Sequence, residues 1–333
     1  MGLTDSESRP MTFFSILLAL IAEQFQPRRA DNPFNMAIHG FTVRMEGWFN
    51  AGQAKHGRLA WLLTMTVFML PAALVYWLSL RIHPLLAMAW NVLVLYLTLG
   101  FRHYSHHFTA IQLALNAGDD ATARTLLARW AHVDTTTFDV PDIARLAIEQ
   151  ALVTSHRHVF GVFFWFLLPV GPAGAVMYRV AQHLAHAWNK PQALKEEAFG
   201  LFAARAFYWI DWAPARLTAI AFAIVGNFED AIYAWRNFAM RWHDEAVGIL
   251  LCAGSGAMGV RLGAVTQTTA DSIVADTPFS EAAGFDVEAP LGEEATVRAL
   301  QSTVGLVWRA LLLWMLLLLL LSITVWMGKP GGP

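Results

Sequence analysis

The sequence predicts an all-α fold: a polytopic helical membrane protein with broken or re-entrant helices and a cytoplasmic helical insertion. Three observations carry this. Of 333 residues, 56% are apolar and 14% charged, where a soluble domain has about 25% charged. Several runs are long enough and free enough of charge to cross a bilayer, which takes about 20 residues. One such run is interrupted by prolines and glycines, which a straight helix does not tolerate. The mean hydropathy of +0.43 agrees: too few charges exist to cover a soluble exterior, so lipid covers part of it.

Residues 1–101 form the first region. Residues 11–22 are apolar but short for a span. Asp5, Glu7 and Arg9 precede them and no small-x-small site follows, so they read as an interfacial or short tilted helix rather than a signal peptide. Residues 59–80 and 82–101 are uncharged and separated by Arg81 alone, which predicts a transmembrane hairpin. Pro71 should kink its first arm. The flanks 24–58 and 102–157 carry ten Lys and Arg between them, which places both in the cytoplasm.

Residues 102–157 read as the cytoplasmic helical insertion. Asp119-Asp120 and Pro141-Asp142 are helix starts, with acids or proline in the first turn. The third region, 158–265, opens with 21 uncharged residues interrupted by Leu168-Pro-Val-Gly-Pro-Ala-Gly174. Broken backbone at membrane depth persists only where protein or a cavity satisfies it, so this segment is a candidate site. Residues 179–203 read as an amphipathic connector, 213–225 as a short apolar segment beginning at Asp211-Trp-Ala-Pro, 227–245 as an interfacial helix and 246–263 as an apolar, small-residue stretch. Residues 266–304 form a polar, acid-rich loop. Residues 305–333 form a C-terminal transmembrane anchor, uncharged over 310–328. Fourteen tryptophans suit headgroup-level positions.

Several chemistries are disfavoured. A net charge of −2 gives no support for nucleic-acid binding. Cys252 is the sole cysteine, so no intramolecular disulfide forms. No Walker loop is present. Gly254-Ser-Gly-Ala-Met-Gly259 matches a dinucleotide fingerprint but lacks its βαβ context, and reads as a small-residue face for close helix packing. His103, His106 and His107 share one helical face, and His183 and His186 repeat the spacing; polar helix ends at a membrane surface explain both better than a metal site does.

The most informative stretch, residues 204–218, places Arg205, Asp211 and Arg216 in an aromatic, low-charge setting. Ionisable groups at membrane depth are normally paired, and Arg216 with Asp211 across a Pro214 turn is the expected pair. The cluster either locks two helices as a salt bridge or grips an anionic ligand through arginine.

At these residues the chain resembles the CobD/CbiB family of cobalamin-biosynthesis membrane proteins. The resemblance rests on Gly171-Pro-Ala-Gly-Ala-Val-Met-Tyr-Arg179, Pro214-Ala-Arg-Leu-Thr218 and Ala257-Met-Gly-Val-Arg-Leu-Gly263, and covers about residues 145–265. It implies amide attachment of aminopropanol, or its phosphate, to cobyric acid, a ligase reaction using ATP and magnesium. It implies that Arg179, Arg205 and Arg216 bind anionic groups beside Tyr178 and Pro214, and that Asp211 orients them or acts as catalytic base. The sequence departs from the family where acids and amides are expected. Val153-Thr-Ser-His-Arg-His158 replaces a Glu-Asn-x-x-Asp-Gly segment, Gln182 and Ala185 replace an Asn-x-x-Asp pair, Phe207 and Tyr208 replace two aspartates, and Asp211 replaces an asparagine.

Those replacements resemble the AmpE branch of the superfamily, as do residues 11–18, Phe163-Phe-Trp, Asp211-Trp-Ala-Pro-Ala-Arg-Leu and Ile224-Val-Gly. That branch implies a non-catalytic sensor or modulator linked to cell-wall signalling and β-lactamase induction. Both readings place the chain in the bacterial inner membrane, multi-pass, with lipid as one partner and an anionic corrinoid or a cell-wall-derived ligand as the other.

Overall fold

The computed structural model describes residues 5–25, 33–50, 54–189, 199–242, 244–263 and 292–327. Their regular structure is helical, with one isolated bridge between Val260 and Glu293. In chain order the helices are α1 (Asp5–Phe25), α2 (Pro33–Phe49), α3 (Ala54–Ile82), α4 (Pro84–Thr98), α5 (Phe101–Asn116), α6 (Asp120–Ala131) and α7 (Val140–Ser155). A π-helical turn (His156–Phe160) leads into α8 (Gly161–Leu167). Then follow α9 (Pro172–Ala187), α10 (Leu201–Val225), α11 (Phe228–Phe238), α12 (Glu245–Met258) and α13 (Val297–Met327). The polar loop expected at 266–304 lies mostly outside the described residues.

Among the described residues two helices are long and apolar enough to cross a membrane, α3 and α13. At 1.5 Å per residue each exceeds the hydrocarbon thickness of about 30 Å. Both expose an unbroken apolar face: Leu59, Leu62, Leu70 and Leu74 on α3, and Leu312, Leu316 and Leu320 on α13. A helix this apolar that stays exposed faces lipid. Pro71 sits inside α3 without ending it.

The hairpin expected at 59–101 is present but its second arm is shorter. The His83 ring nitrogen Nδ1 accepts from Leu85 N at 3.2 Å and Pro84 takes the first position, so α4 starts cleanly. It stops at Thr98, and Gly100 separates it from α5. Fifteen residues do not span. Instead α4 packs on α1 and α3, fastened by the Trp90 indole donating to Ala72 O at 3.1 Å.

Local signals set the other starts. Asp119 accepts from Thr122 N at 3.0 Å and Asp139 from Asp142 N at 2.9 Å, capping α6 and α7. The sequence placed these starts at Asp119-Asp120 and at Pro141-Asp142; the second cap, Asp139, lies two residues before that proline. Asn227 caps α11, the expected interfacial helix.

The stretch at 246–263 is a core helix. In α12, residues 246–256 are all buried. The small-residue reading of 254–259 holds: a Cβ on Gly256 would meet Asp230 O at 2.3 Å, and one on Gly254 would meet Leu152 Cδ1 at 2.6 Å. Larger residues would push α12 off its neighbours.

The broken segment is a re-entrant hairpin. The π turn and α8 run in, residues 168–171 reverse the chain, and α9 runs back. Gly171 holds φ +56° at the reversal, a conformation glycine adopts without penalty. Pro172 then opens α9. Gly161 meets Tyr178, and Gly174 meets the Trp165 carbonyl, so four steps forward on one arm match four steps back on the other. Neither glycine could carry a side chain, since a Cβ would lie 2.2 and 2.3 Å from those partners.

Pro214 does not break α10, which runs 25 residues through it. Proline lacks the N–H that would satisfy the carbonyl four residues back. That carbonyl is Ile210 O, and the Trp165 indole donates to it at 3.0 Å. The re-entrant hairpin thus supplies the hydrogen bond that α10 lacks, which is how proline survives at membrane depth.

Candidate functional site

The two arms of the hairpin and the first half of α10 converge on a buried polar network. His156 leaves the π turn, where the Gly161 N–H reaches back to His156 O in place of the usual α-helical partner. Such turns concentrate at functional sites. His156, Asp211 and Tyr178 are respectively 0%, 2% and 0% exposed. The Tyr178 hydroxyl donates to Asp211 Oδ1 at 2.7 Å, and His156 Nε2 lies 2.9 Å from the same oxygen. Nδ1 of His156 lies 2.9 Å from Thr218 Oγ1, which also lies 2.9 Å from the Pro214 carbonyl.

A hydroxyl has one proton to give. When Thr218 donates to the Pro214 carbonyl, Nδ1–H donates to Thr218 and Nε2 needs a second proton to bridge to Asp211. When Thr218 donates to Nδ1, a neutral ring with Nε2–H suffices. The network therefore accommodates one or two imidazole protons with its heavy atoms in place.

Asp211 also lines a cavity of about 640 Å³. Its Oδ1 takes both buried hydrogen bonds. Arg157 from the π turn and Arg179 from α9 line the same space, opposed by Asp244 and Glu245 at the start of α12. Asp244 Oδ1 caps α12 by accepting from Ala246 N and Val247 N, while Oδ2 lies 3.4 Å from Arg157. Arg179 donates to Gln182 Oε1 at 2.6 Å. Four histidines, His132, His158, His183 and His186, complete a polar wall.

The expected site residues are distributed unevenly. Arg179 and Asp211 line the cavity, and Tyr178 stands behind it holding Asp211. Pro214 is buried in α10. Arg205 is exposed on the outer side of α10. Arg216 stacks on Trp212, 4.2 Å from the ring centroid. The expected Arg216–Asp211 pair is not formed: Arg216 pairs with Glu245, which also accepts from the Tyr208 hydroxyl at 2.5 Å. Residues 211 and 216 are five apart on a continuous helix and point to different sides; only a break at Pro214 would have brought them together.

The chain break at 168–171 does not line this cavity. Gly171 packs near Tyr76 toward the far end of α3, and Arg179 is eight residues along α9 from it, about 12 Å. The opposite end of α9 approaches the start of α3, where Gly57 touches Phe199. Of the earlier histidine group, His107 stacks on Trp130 at 6.2 Å, and the His103 side chain lies outside the described residues.

His156, Arg157, Asp244 and Glu245 were not singled out by sequence. One signal existed: charge is scarce in this chain, so each ionisable group flanking an apolar run is a candidate. The departures from the family pattern carried a second. Val153, Thr154, Arg157, His158, Gln182, Ala185, Phe207, Tyr208 and Asp211 all line the one cavity.

Fold and site together define a helical membrane protein whose re-entrant hairpin and α10 enclose a polar cavity lined by arginine and histidine. The chain belongs to the CobD/Cbib protein family, whose model matches residues 16–290. It is 31% identical over 313 residues to the cobalamin biosynthesis protein CobD of Stutzerimonas stutzeri, covering 92% of this chain and 97% of that protein. It is 34% identical over 209 residues to the CobD of Chromobacterium violaceum, covering 62% and 65%. The CobD of Desulfotalea psychrophila is 26% identical over 274 residues, covering 76% and 83%. No solved structure matches.

Proposed function

We propose that this chain is a multi-pass protein of the bacterial inner membrane that binds an anionic corrinoid of the cobalamin pathway in the α7–α10 cavity and joins aminopropanol, or its phosphate, to it as an amide. One observation carries the reading: Arg157 and Arg179, one from each arm of the hairpin, face a single recess beside buried Asp211. Arginine is the side chain best suited to carboxylate and phosphate. The curated relatives named as cobalamin biosynthesis proteins support the pathway.

The residues divide the work as follows. Arg157 and Arg179 hold the anionic groups of the two reactants. Asp211 orients the amine, and His156 and Tyr178 fix the Asp211 carboxylate. The lipid-facing belts of α3 and α13 anchor the recess in the bilayer.

The family reaction calls for ATP with magnesium. The cavity carboxylates do not fit a metal: Asp211 is held by His156 and Tyr178, Asp244 by its helix cap and Arg157, and Glu245 by Arg216 and Tyr208. Among the described residues no group of three His, Cys, Asp or Glu could hold one. The same observation favours a second reading, a non-catalytic AmpE-like modulator whose cavity takes a cell-wall-derived anion.

Complementation separates the two. A strain lacking its own cobinamide synthase, given cobyric acid, should grow without cobalamin when it carries this chain and fail with Asp211→Asn. Absence of rescue at full membrane expression overturns the synthase reading and leaves the modulator.

A further inference from the structure

The fixed charges of the cavity nearly cancel. Arg157 and Arg179 face Asp211, Asp244 and Glu245, and Arg216 neutralises Glu245 from beside the cavity. No strong sign is left by the groups that stay charged near neutral pH. Four imidazoles line the same walls: His132 at the end of α6, His158 in the π turn, and His183 and His186 on α9. The remaining polar lining, Asn35, Gln150, Thr154, Gln182, Asn189 and Tyr208, adds no charge near neutral pH. Behind the wall, His39 of α2 stacks edge-on against His183 at 5.9 Å, and His156 contacts Asp211.

Histidine is the one side chain whose ordinary titration falls between pH 5 and 8. Its protons therefore set the sign of this cavity. His158 illustrates the geometry: its Nδ1 donates to Thr154 O at 3.1 Å, so Nε2 is the nitrogen that gains or loses the proton. His132 holds φ +56°, rare for a residue with a Cβ, where it ends α6 beside the cavity.

We propose that this cavity is a proton-coupled site for a multiply charged anion, in which protonation of the ring of histidines switches it from near-neutral to cationic and so sets its affinity. The inference rests on the reading above that the cavity takes an anionic ligand. By linkage, an anion that binds better to the protonated cavity raises proton uptake by the same coupling. The cavity should thus fill as the local pH falls and empty as it rises.

Sulfate is a suitable probe, because its charge stays constant between pH 5.5 and 8. Titrating sodium sulfate into the purified full chain in non-ionic detergent, followed by calorimetry in buffers of different ionisation enthalpy, reads both affinity and proton uptake. Binding should be roughly tenfold or more tighter at pH 5.5 than at pH 8, with net proton uptake. The triple variant His158→Gln, His183→Gln, His186→Gln should lose most of the increase in affinity between pH 8 and pH 5.5. Arg179→Gln should weaken binding at both pH values. Equal affinity at both pH values, or an undiminished increase in a folded triple variant, overturns the proton coupling and leaves the anion reading standing. No sulfate binding at either pH overturns both.

Discussion

The Tyr178 hydroxyl donates to Asp211 Oδ1 at 2.7 Å across the interface between α9 and α10, with neither residue more than 2% exposed. A hydrogen bond to a charged group contributes about 1.5–3 kcal/mol, and a buried partner left unsatisfied costs more than a lost average bond. Tyr178→Phe keeps the ring against Phe207, 5.7 Å away, and removes the hydroxyl alone. It should destabilise the detergent-solubilised protein by about 1.5–3 kcal/mol. Denaturant unfolding followed by tryptophan fluorescence measures this.

Gly161 makes that hydroxyl possible, since a Cβ there would lie 2.3 Å from it. Gly161→Ala should cost about 1–3 kcal/mol through overpacking. Gly40→Ala, with nothing within 4 Å of the added atom, should be neutral or stabilising by about 0.5–1 kcal/mol. Comparing the two unfolding midpoints separates the clash from the general effect of alanine in a helix.

Trp165 and Pro214 should behave as a coupled pair. Trp165→Phe strips the Ile210 carbonyl of its indole donor, at about 1–3 kcal/mol. Pro214→Ala supplies an N–H to that same carbonyl. Pro214→Ala should therefore recover stability in the Trp165→Phe background and gain less in the native one. A double-mutant cycle reads the coupling; strict additivity would contradict the pairing.

Arg205→Ala should leave corrinoid binding within about twofold, because its side chain is exposed outside the cavity and exposed charges contribute little. The same substitution should leave membrane expression unchanged. Fluorescence quenching of the chain by cobyric acid checks it against Arg179→Gln.

Much of the fold was legible because it is written in local terms. The spans α3 and α13 follow from runs without charge, α6 and α7 begin at the acids that cap them, and the reversal at 168–171 needs the prolines and glycine that mark it. The site was legible only in part. Arg179, Tyr178 and Asp211 were in view, yet Asp211 finds its partner 55 residues away in His156, and no spacing rule joins them. Pro214 misled for a related reason. Its helix-breaking effect is local, whereas Trp165, which compensates it, comes from another helix, 45 residues from the Ile210 carbonyl that it satisfies. The shortness of α4 and the burial of α12 likewise depend on neighbours, because an apolar run does not say whether lipid or protein will cover it.

The central claim is that the recess between the hairpin and α10 binds an anionic corrinoid through Arg157 and Arg179. Equilibrium binding of cobyric acid to the purified chain, followed by tryptophan quenching, tests it most directly. Saturable binding that weakens about tenfold or more in Arg179→Gln, the scale set by losing one charge-assisted hydrogen bond, is the result expected. Absence of binding, or equal affinity in a folded Arg157→Gln, Arg179→Gln double variant, would contradict it.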